Sequence, residues 1–303
     1  MDKETIIERI QELKKSKNAV ILAHLYQNDE IQELADFTGD SLELSRKAAA
    51  TDADVIVFCG VRFMAETAKI LSPNKKVLLV AMNAGCPLAD MITPKDVLEM
   101  KNKYPQAAVV TYVNSSAEVK AISDYCCTSS NAIGLVRNIP EKEVIFIPDM
   151  NLGSYVKKNV PEKTIHLNEG YCPIHHQINE QDVLEIRGKH PNAPVYVHPE
   201  CKPEVSAQAD FVGSTAAILK KVLQSVAKEV IIGTDKGIFY RLKKENPDKN
   251  FILLSPGLYC NDMKMTRLED VHEVLKSMKN EINLNANIIK SAGMALNRML
   301  KYS

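Results

Sequence analysis

Short apolar runs alternate with helical patterns along this chain, and one order of elements occurs three times. Each copy reads as a strand, a helical region, a second strand, a helix and a third strand, and a cysteine follows soon after. The predicted strands are residues 19–24, 54–59 and 76–81, then 108–113, 144–147 and 163–167, and finally 194–198, 229–233 and 250–254. The pattern therefore predicts three copies of one unit.

The predicted strands are apolar throughout, which is typical of parallel sheets covered by helices on both faces. We therefore expect an α/β fold of three homologous three-layer units, with small parallel sheets arranged around a pseudo-threefold axis. The expected units are residues 1–104, 105–190 and 191–262. The connectors with Pro105 and Pro191 mark the boundaries between them.

Two helices are predicted after the third unit, in residues 263–303. Thr266 to Glu269 has the pattern of a capping box that opens a helix to about Met278, and a longer helix starts near Asn285. We expect these C-terminal helices to pack back on the first unit.

Three cysteines follow the third strands at nearly equal intervals. Cys86, Cys172 and Cys260 are separated by 86 and 88 residues. If equivalent copies surround a threefold axis, equivalent positions near that axis meet, so these three thiolates can form one metal site. A free cysteine is often a small core residue, but loops that follow strands are poor places for one. Three sulfurs also leave one coordination position open, as a catalytic metal requires.

The chain has seven cysteines, an odd number that does not suit a framework of disulfides. Cys59 lies within a predicted strand and reads as a core residue. Cys126 and Cys127 are adjacent and read as structural. Cys201 is a further candidate active-site thiol, although it has no counterpart in the other copies and core or loop packing is the simpler interpretation.

The first strand of each copy ends in two polar residues spaced i and i+2, which face the same side of an extended chain. Because ligands of parallel sheets bind at the carboxyl ends of strands, these side chains are candidates for an active site. The three pairs are His24 with Tyr26, Tyr112 with Asn114, and His198 with Glu200.

Hydroxyl residues occur next in each copy, at predicted helix starts: Ser41, Ser129, and Ser214 with Thr215. The backbone amides of a helix start attract anions, so three such positions predict a pocket for a small molecule with several negative charges. The alternative is that they are ordinary helix caps.

Composition narrows the class of protein further. Hydrophobic residues make up 45% of the 303 residues, which is enough for a substantial core. Lys plus Arg and Asp plus Glu both number 38, and the absence of a basic block argues against a nucleic-acid-binding protein. The start of the chain lacks an apolar signal region, and no apolar run reaches the ~20 residues that span a bilayer, so a cytoplasmic location is expected.

Several motifs together resemble the quinolinate synthase family, iron–sulfur enzymes of NAD biosynthesis in bacteria and archaea. The resemblance covers essentially the whole chain. It rests on the segments 23–27, 39–41, 85–90, 111–114, 127–132, 148–153, 198–201, 213–215 and 260–264.

The resemblance implies an activity and a cofactor. Members condense iminoaspartate with dihydroxyacetone phosphate to quinolinate, with loss of phosphate and water. A four-iron, four-sulfur cluster held by Cys86, Cys172 and Cys260 would keep one iron open as a Lewis acid. L-aspartate oxidase or aspartate dehydrogenase would supply iminoaspartate as a functional partner.

The resemblance also implies roles for individual residues. Those implied to be catalytic are Tyr26, Tyr112, His198 and Glu200. Those implied to bind substrate are His24, Ser41, Tyr112, Val113, Asn114, Ser129, His198, Pro199, Glu200, Ser214 and Thr215.

The residues alone leave two other classes open. One is another hydro-lyase with a four-iron, four-sulfur cluster that acts on a small dicarboxylate, because Lewis-acid dehydration is not tied to one substrate. The other is a binding protein without enzymatic activity, either an iron–sulfur sensor or a scaffold held by zinc.

Overall fold

Three four-stranded parallel sheets form the framework of the computed structural model, which describes residues 2–302. The first contains β1 (Ala19–His24), β2 (Phe37–Gly39), β3 (Val55–Cys59) and β4 (Lys76–Leu79). The second contains β5 (Ala108–Tyr112), β6 (Tyr125–Cys127), β7 (Glu143–Ile147) and β8 (Thr164–Leu167). The third contains β9 (Val195–Val197), β10 (Phe211–Val212), β11 (Glu229–Gly233) and β12 (Asn250–Leu253).

Helices separate the strands. Before and within the first sheet they are α1 (Lys3–Ser16), α2 (Asp29–Leu34), α3 (Ser41–Ala50) and α4 (Arg62–Leu71). Next along the chain are α5 (Pro94–Lys103), α6 (Ala117–Ala121), α7 (Ala132–Asn138), α8 (Met150–Asn159) and α9 (Pro173–His176). The remainder are α10 (Glu180–Lys189), α11 (Pro203–Gln208), α12 (Thr215–Gln224), α13 (Ile238–Glu245), α14 (Leu268–Ser277) and α15 (Ala286–Lys301). Short 3-10 turns cover Ala89–Met91 and Asp262–Lys264.

The order of strands is the same in all three sheets. The second strand along the chain lies at one edge, followed by the first, third and fourth, and all pairs are parallel. Alternate residues face opposite apolar clusters: in β3, Ile56 and Phe58 pack in one cluster and Val55 and Val57 in the other. The predicted α/β fold of three three-layer units is confirmed.

The second strand of each sheet, namely β2, β6 or β10, was not predicted from the sequence. These strands contain only two or three residues, too few for an apolar period to be visible. An aspartate just before each one accepts a hydrogen bond from a backbone amide of the neighbouring first strand, at 2.8–2.9 Å. The three aspartates are Asp36, Asp124 and Asp210. They recur at intervals of 88 and 86 residues, like the functional positions.

The helices that precede the first strand of each sheet are α1, α5 and α10. Side chains of α5 pack in the cluster on the second sheet, and those of α10 in a cluster on the third. The helix α14 covers α1 on the outer face of the first sheet. The helix α15 packs against α4 and also against α6 and β6, so it joins the first two units. The unit boundaries at 104, 190 and 262 stay predictions.

The predicted capping box at the start of α14 is wrong. Arg267 occupies the cap position of this helix without a side-chain hydrogen bond, and the hydroxyl of Thr266 is buried without a partner. The predicted start of α15 is right, because the side chain of Asn285 accepts a hydrogen bond from the amide of Asn287. Among residues 2–302, no helix is both long and apolar enough to span a membrane.

Two glycines test how tightly the helices pack on these sheets. A Cβ atom on Gly153 of α8 would lie 2.5 Å from Leu167 and 2.9 Å from Phe146, whereas one on Gly188 of α10 would meet no atom within 4 Å. We expect Gly153→Ala to lower the free energy of unfolding by about 1–3 kcal/mol through overpacking. The matched control Gly188→Ala should raise it by about 0.5–1 kcal/mol, because alanine favours helix. Urea denaturation followed by circular dichroism measures both, and equal effects would contradict the packing.

Candidate active site

A small polar cavity lies where the carboxyl ends of the three sheets meet. It has a volume of ≈ 40 Å³ and side chains from all three units line it. The lining residues are His24, Tyr26, Asp40, Ser41, Phe63, Tyr112, Asn114, Thr128, Ser129, His198, Glu200, Thr215 and Met263. All three i, i+2 pairs predicted from the sequence are therefore brought together.

Two of these pairs have the same internal hydrogen bond. The backbone amide of Tyr26 donates to Nδ1 of His24 at 3.1 Å, and the amide of Glu200 approaches Nδ1 of His198 at 3.3 Å. Because Nδ1 is the acceptor, the proton of each neutral ring lies on Nε2. In His198 that Nε2 lies 3.2 Å from the hydroxyl of Ser129 and can donate to it.

Burial controls the charge of the rings in this cavity. It lowers the pKa of His24 to about 3 and also lowers the pKa of His198, so both imidazoles are neutral at physiological pH. Burial, followed by the nearby Glu200 carboxylate, raises the pKa of Tyr26 and Tyr112 well above the usual value. The tyrosines therefore keep their protons and can act as donors.

Glu200 is the acidic centre of the cavity and is only 3% exposed. Its Oε2 lies 2.8 Å from Nδ1 of His175 and 3.3 Å from Nδ1 of His198. Burial raises the pKa of this carboxyl, but the two histidines lower it by more and hold it well below its usual value. The other oxygen, Oε1, is buried without a protein partner. One oxygen is thus fixed by the protein while the other is available to a ligand.

The hydroxyl residues take different positions at their helices. Ser214 is the cap of α12, and its hydroxyl accepts a hydrogen bond from the amide of Ala217. Ser214 is therefore an ordinary helix cap, which was the alternative interpretation of these hydroxyl residues. Thr215 is the first residue of α12, and Ser41 is the first residue of α3, which is capped by Asp40 instead. Ser129 precedes α7, whose cap is Asn131. The side chains of Ser41, Ser129 and Thr215 reach the cavity.

Three of the predicted substrate residues do not line this cavity: Val113, Pro199 and Ser214. Val113 is buried beside a gap of ≈ 10 Å³ behind Ser41. Ser214 instead forms part of a junction between units, where the hydroxyl of Ser130 lies 2.5 Å from Oδ2 of Asp40 and 2.7 Å from the hydroxyl of Ser214. Each of these three groups comes from a different unit.

A second cavity, of ≈ 240 Å³, adjoins the first and is lined by Cys86, Cys172 and Cys260. The three cysteines are thus brought to one place, as the repeat predicted. Both cavities include five common residues: Tyr26, Phe63, Asn114, Glu200 and Met263. A group held by the cysteines would therefore face the polar cavity directly.

Buried aspartates hold two of the cysteine loops. The amide of Cys172 donates to Asp149 at 3.0 Å, and the amide of Cys260 donates to Asp235 at 2.6 Å. Both aspartates are fully buried and follow the third strand of their unit along the chain. In the first unit Val61 occupies the equivalent position, and the loop is held through Gly85, whose amide donates to Asp262 at 3.0 Å.

The chemistry of the three thiols fits a bound cationic group. Burial raises the pKa of Cys86 to about 12 and that of Cys260 to about 11, and it raises the pKa of Cys172 well above its usual value. Three thiolates in one cavity need positive charge nearby, and metal ions supply it. The donor set and its shared cavity therefore suit a metal or iron–sulfur group.

The other cysteines lie away from this cavity. Cys59, Cys126, Cys127 and Cys201 are buried, and the first three lie within strands. The thiol of Cys201 lies 3.7 Å from the carbonyl oxygen of Gly233 and packs in the core of the third unit. These positions agree with the structural interpretation.

Several site residues were missed by the sequence reasoning. His175 lies three residues after Cys172, close enough that these two residues and Glu200 could together hold a metal ion. Asp149 and Asp235 are 86 residues apart, which is the interval between equivalent positions of the second and third units. A comparison of these two units would therefore have identified both aspartates. Lys264 donates to the backbone oxygen of Tyr26 and, at 2.7 Å, to Asp235. Lys264 lies in the segment 260–264 that contributes to the family resemblance, but the sequence reasoning gave it no role, because its partners come from two different units.

Known proteins resemble the chain over its full length. The family model described as Quinolinate synthetase A protein matches residues 8–301. The quinolinate synthase of Caldicellulosiruptor saccharolyticus is 57% identical over 303 residues, which is 100% of both chains. That of Alkaliphilus metalliredigens is 53% identical over 301 residues, 99% of both chains. That of a Geobacter species, strain M21, is 54% identical over 300 residues, 99% of this chain and 98% of the relative.

The matches cover both cavities and all three units, and the identities are high. The chain therefore belongs to the quinolinate synthase family.

Proposed function

We propose that this protein condenses iminoaspartate with dihydroxyacetone phosphate and converts the product to quinolinate, with loss of phosphate and water. The observation that carries the proposal is the junction of the two cavities. A cysteine from each unit lines one cavity, and polar side chains of all three units converge in the cavity that adjoins it. The specific reaction is inferred from membership of the family, which extends over the full chain.

The proposal includes a four-iron, four-sulfur cluster held by Cys86, Cys172 and Cys260. Three thiolate donors in one cavity support it, and none of the other cysteines competes for that position. When bound, such a cluster supplies an iron without a protein ligand, which can polarise a substrate oxygen as a Lewis acid.

Neutral donors would hold the substrate anions. The lining of the polar cavity, in the described part of the chain, contains no lysine or arginine. Hydroxyls, imidazole N–H groups and the amide of Asn114 therefore replace water around carboxylate and phosphate oxygens. The proposed substrate residues are His24, Ser41, Tyr112, Asn114, Ser129, His198, Glu200 and Thr215. Val113, Pro199 and Ser214 would act by supporting this lining.

Proton transfers would be carried out by four residues. Glu200 is an ionised carboxylate with one free oxygen, which suits a general base. His198 lies beside the other oxygen and can donate to Ser129 through Nε2. Tyr26 and Tyr112 are protonated and face the same cavity, so they can donate to oxygens of the intermediates.

Iminoaspartate is a reactive imine, so an enzyme that forms it would have to supply it. L-aspartate oxidase or aspartate dehydrogenase is the proposed functional partner. The cytoplasmic location inferred from the sequence stays a prediction.

The reaction itself is the first test. Anaerobically purified protein incubated with dihydroxyacetone phosphate and iminoaspartate should form quinolinate and release one phosphate for each product molecule, because the phosphate ester is lost during the condensation. Chromatography and ultraviolet absorbance identify the aromatic product. Dehydration of other dicarboxylates without any pyridine product would favour a different hydro-lyase.

Replacement of the cysteines tests the cofactor. Wild-type protein should contain about four iron and four sulfide per chain, and Cys172→Ala should lose most of both because one ligand is removed. Cys59→Ala is the matched control, since that thiol is buried in the outer core of the first sheet. Iron and sulfide assays measure the content. A colourless wild-type protein with stoichiometric zinc would refute the cluster.

Replacement of Tyr26 tests its role as an acid. Tyr26→Phe should lower kcat by about 10²–10⁴-fold, the usual contribution of a proton donor, and leave iron and sulfide unchanged. Tyr155→Phe is the control, because that hydroxyl bonds a backbone oxygen outside the cavity. Steady-state kinetics measure both. Turnover near the wild-type rate in Tyr26→Phe would remove this residue from the mechanism.

A further inference from the structure

A third cavity lies between α13 of the third unit and the segment that follows β1. We call it the lysine groove, because Lys236, Lys243 and Lys244 line it. Its volume is ≈ 560 Å³, within the range of about 300–1,000 Å³ that is usual for small-molecule sites. Among residues 2–302, no side chain that lines the groove also lines the polar cavity or the cysteine cavity. The groove is therefore a separate space that the proposed reaction does not use.

The three lysines give the groove a positive charge that the protein leaves unbalanced. Lys236, Lys243 and Lys244 are exposed, and in the described part of the chain none of them forms an ion pair. The only described carboxylate in the lining is that of Asp29. The net charge of the whole chain is zero, so this excess is local and attracts an anion.

Two tyrosines present ring surface in the same groove. Tyr259 is 42% exposed, and Nζ of Lys264 lies 5.4 Å from the centre of its ring. Because Lys264 is paired with Asp235 at 2.7 Å, it orients this ring without adding unbalanced charge. Tyr240 is half-buried, and its hydroxyl accepts a hydrogen bond from Lys244 at 3.3 Å. Aromatic faces of this kind stack on planar rings of a ligand.

A buried amide oxygen adds a hydrogen-bond acceptor. Gln27 lines the groove and is 0% exposed, and its Nε2 donates to the backbone oxygen of Met263 at 2.6 Å. The Oε1 atom of Gln27 has no hydrogen-bond partner among residues 2–302. A buried acceptor without a partner is destabilising, and an N–H or O–H group of a ligand would satisfy it.

The lysines alone would not indicate a ligand, because lysines at the end of a helix interact favourably with its dipole. The helix α8 also ends in two adjacent lysines, Lys157 and Lys158, 86 residues before those of α13. The two helices differ at Tyr240, whose counterpart in α8 is Ser154. The ring is thus an addition to the framework that the units share.

We propose that the lysine groove binds a nucleoside phosphate. The lysines would hold the phosphate oxygens, a tyrosine ring would stack on the base, and Oε1 of Gln27 would accept from an amino or hydroxyl group. A nucleotide carries all three of these groups, whereas inorganic phosphate and sugar phosphates lack the planar ring. This inference goes beyond the proposed function and does not depend on it.

Binding to the wild-type protein, purified without oxygen, is the first measurement. The probes are AMP, GMP, CMP and UMP, with the four nucleosides and inorganic phosphate as partial ligands, in isothermal titration calorimetry at low salt. We expect at least one nucleotide to bind at one site per chain, about tenfold or more tightly than its nucleoside or phosphate, because each partial ligand engages only part of the groove.

Variants locate the binding. The double variant Lys243→Gln, Lys244→Gln should weaken nucleotide binding about tenfold or more, and Tyr240→Leu should weaken it about tenfold through lost stacking. The matched control is Lys157→Gln, Lys158→Gln, which removes the same two charges from the equivalent turn of α8 and should bind as the wild type does. All four lysines are exposed, and circular dichroism verifies that the variants are folded.

Three results would overturn the inference. They are failure of all four nucleotides to bind, equal affinity for a nucleotide and inorganic phosphate, and equal losses in the α13 and α8 double variants. The second would indicate a general anion patch, and the third an effect of net charge. None of them bears on the formation of quinolinate, so the proposed function is tested separately.

Discussion

The site depends on one geometric constraint, namely that three parallel sheets direct their carboxyl ends toward a common centre. Parallel strands buried on both faces have no room for polar side chains along their length, so these side chains appear only where the strands end. His24, Tyr112 and Glu200 lie at or just beyond such ends in different sheets and line the same cavity. No single unit could assemble the site, and the cavity exists because the unit is repeated.

The three units share one framework, and they differ in the residues that hold the cysteine loops. Asp149 and Asp235 hold two cysteine loops in the same way, whereas Val61 takes that position in the first unit. The first loop is held by Asp262, which belongs to the third cysteine segment. The contact between Gly85 and Asp262 joins the first cysteine loop to the third. The surroundings of the three cysteines are therefore different from one another. A substrate without threefold symmetry can thus be bound in one orientation.

The sequence was sufficient to predict the three sheets and the convergence of the cysteines, because long apolar strands and regular spacing are local signals. It did not predict β2, β6 and β10, which are too short to show a period. His175 was missed for a different reason. Its partner Glu200 lies in the next unit along the chain, and the contact between them arises only when the second and third units pack together. The capping box at Thr266 shows the opposite error, in which a local pattern was present but the helix began later.

The Ser130 hydroxyl lies between Asp40 of the first unit and Ser214 of the third, so one side chain of the second unit contacts both of its neighbours. Displacement of the first unit would break the contact with Asp40, and displacement of the third would break the contact with Ser214. A change in the position of any one unit therefore requires the partners of this serine to change.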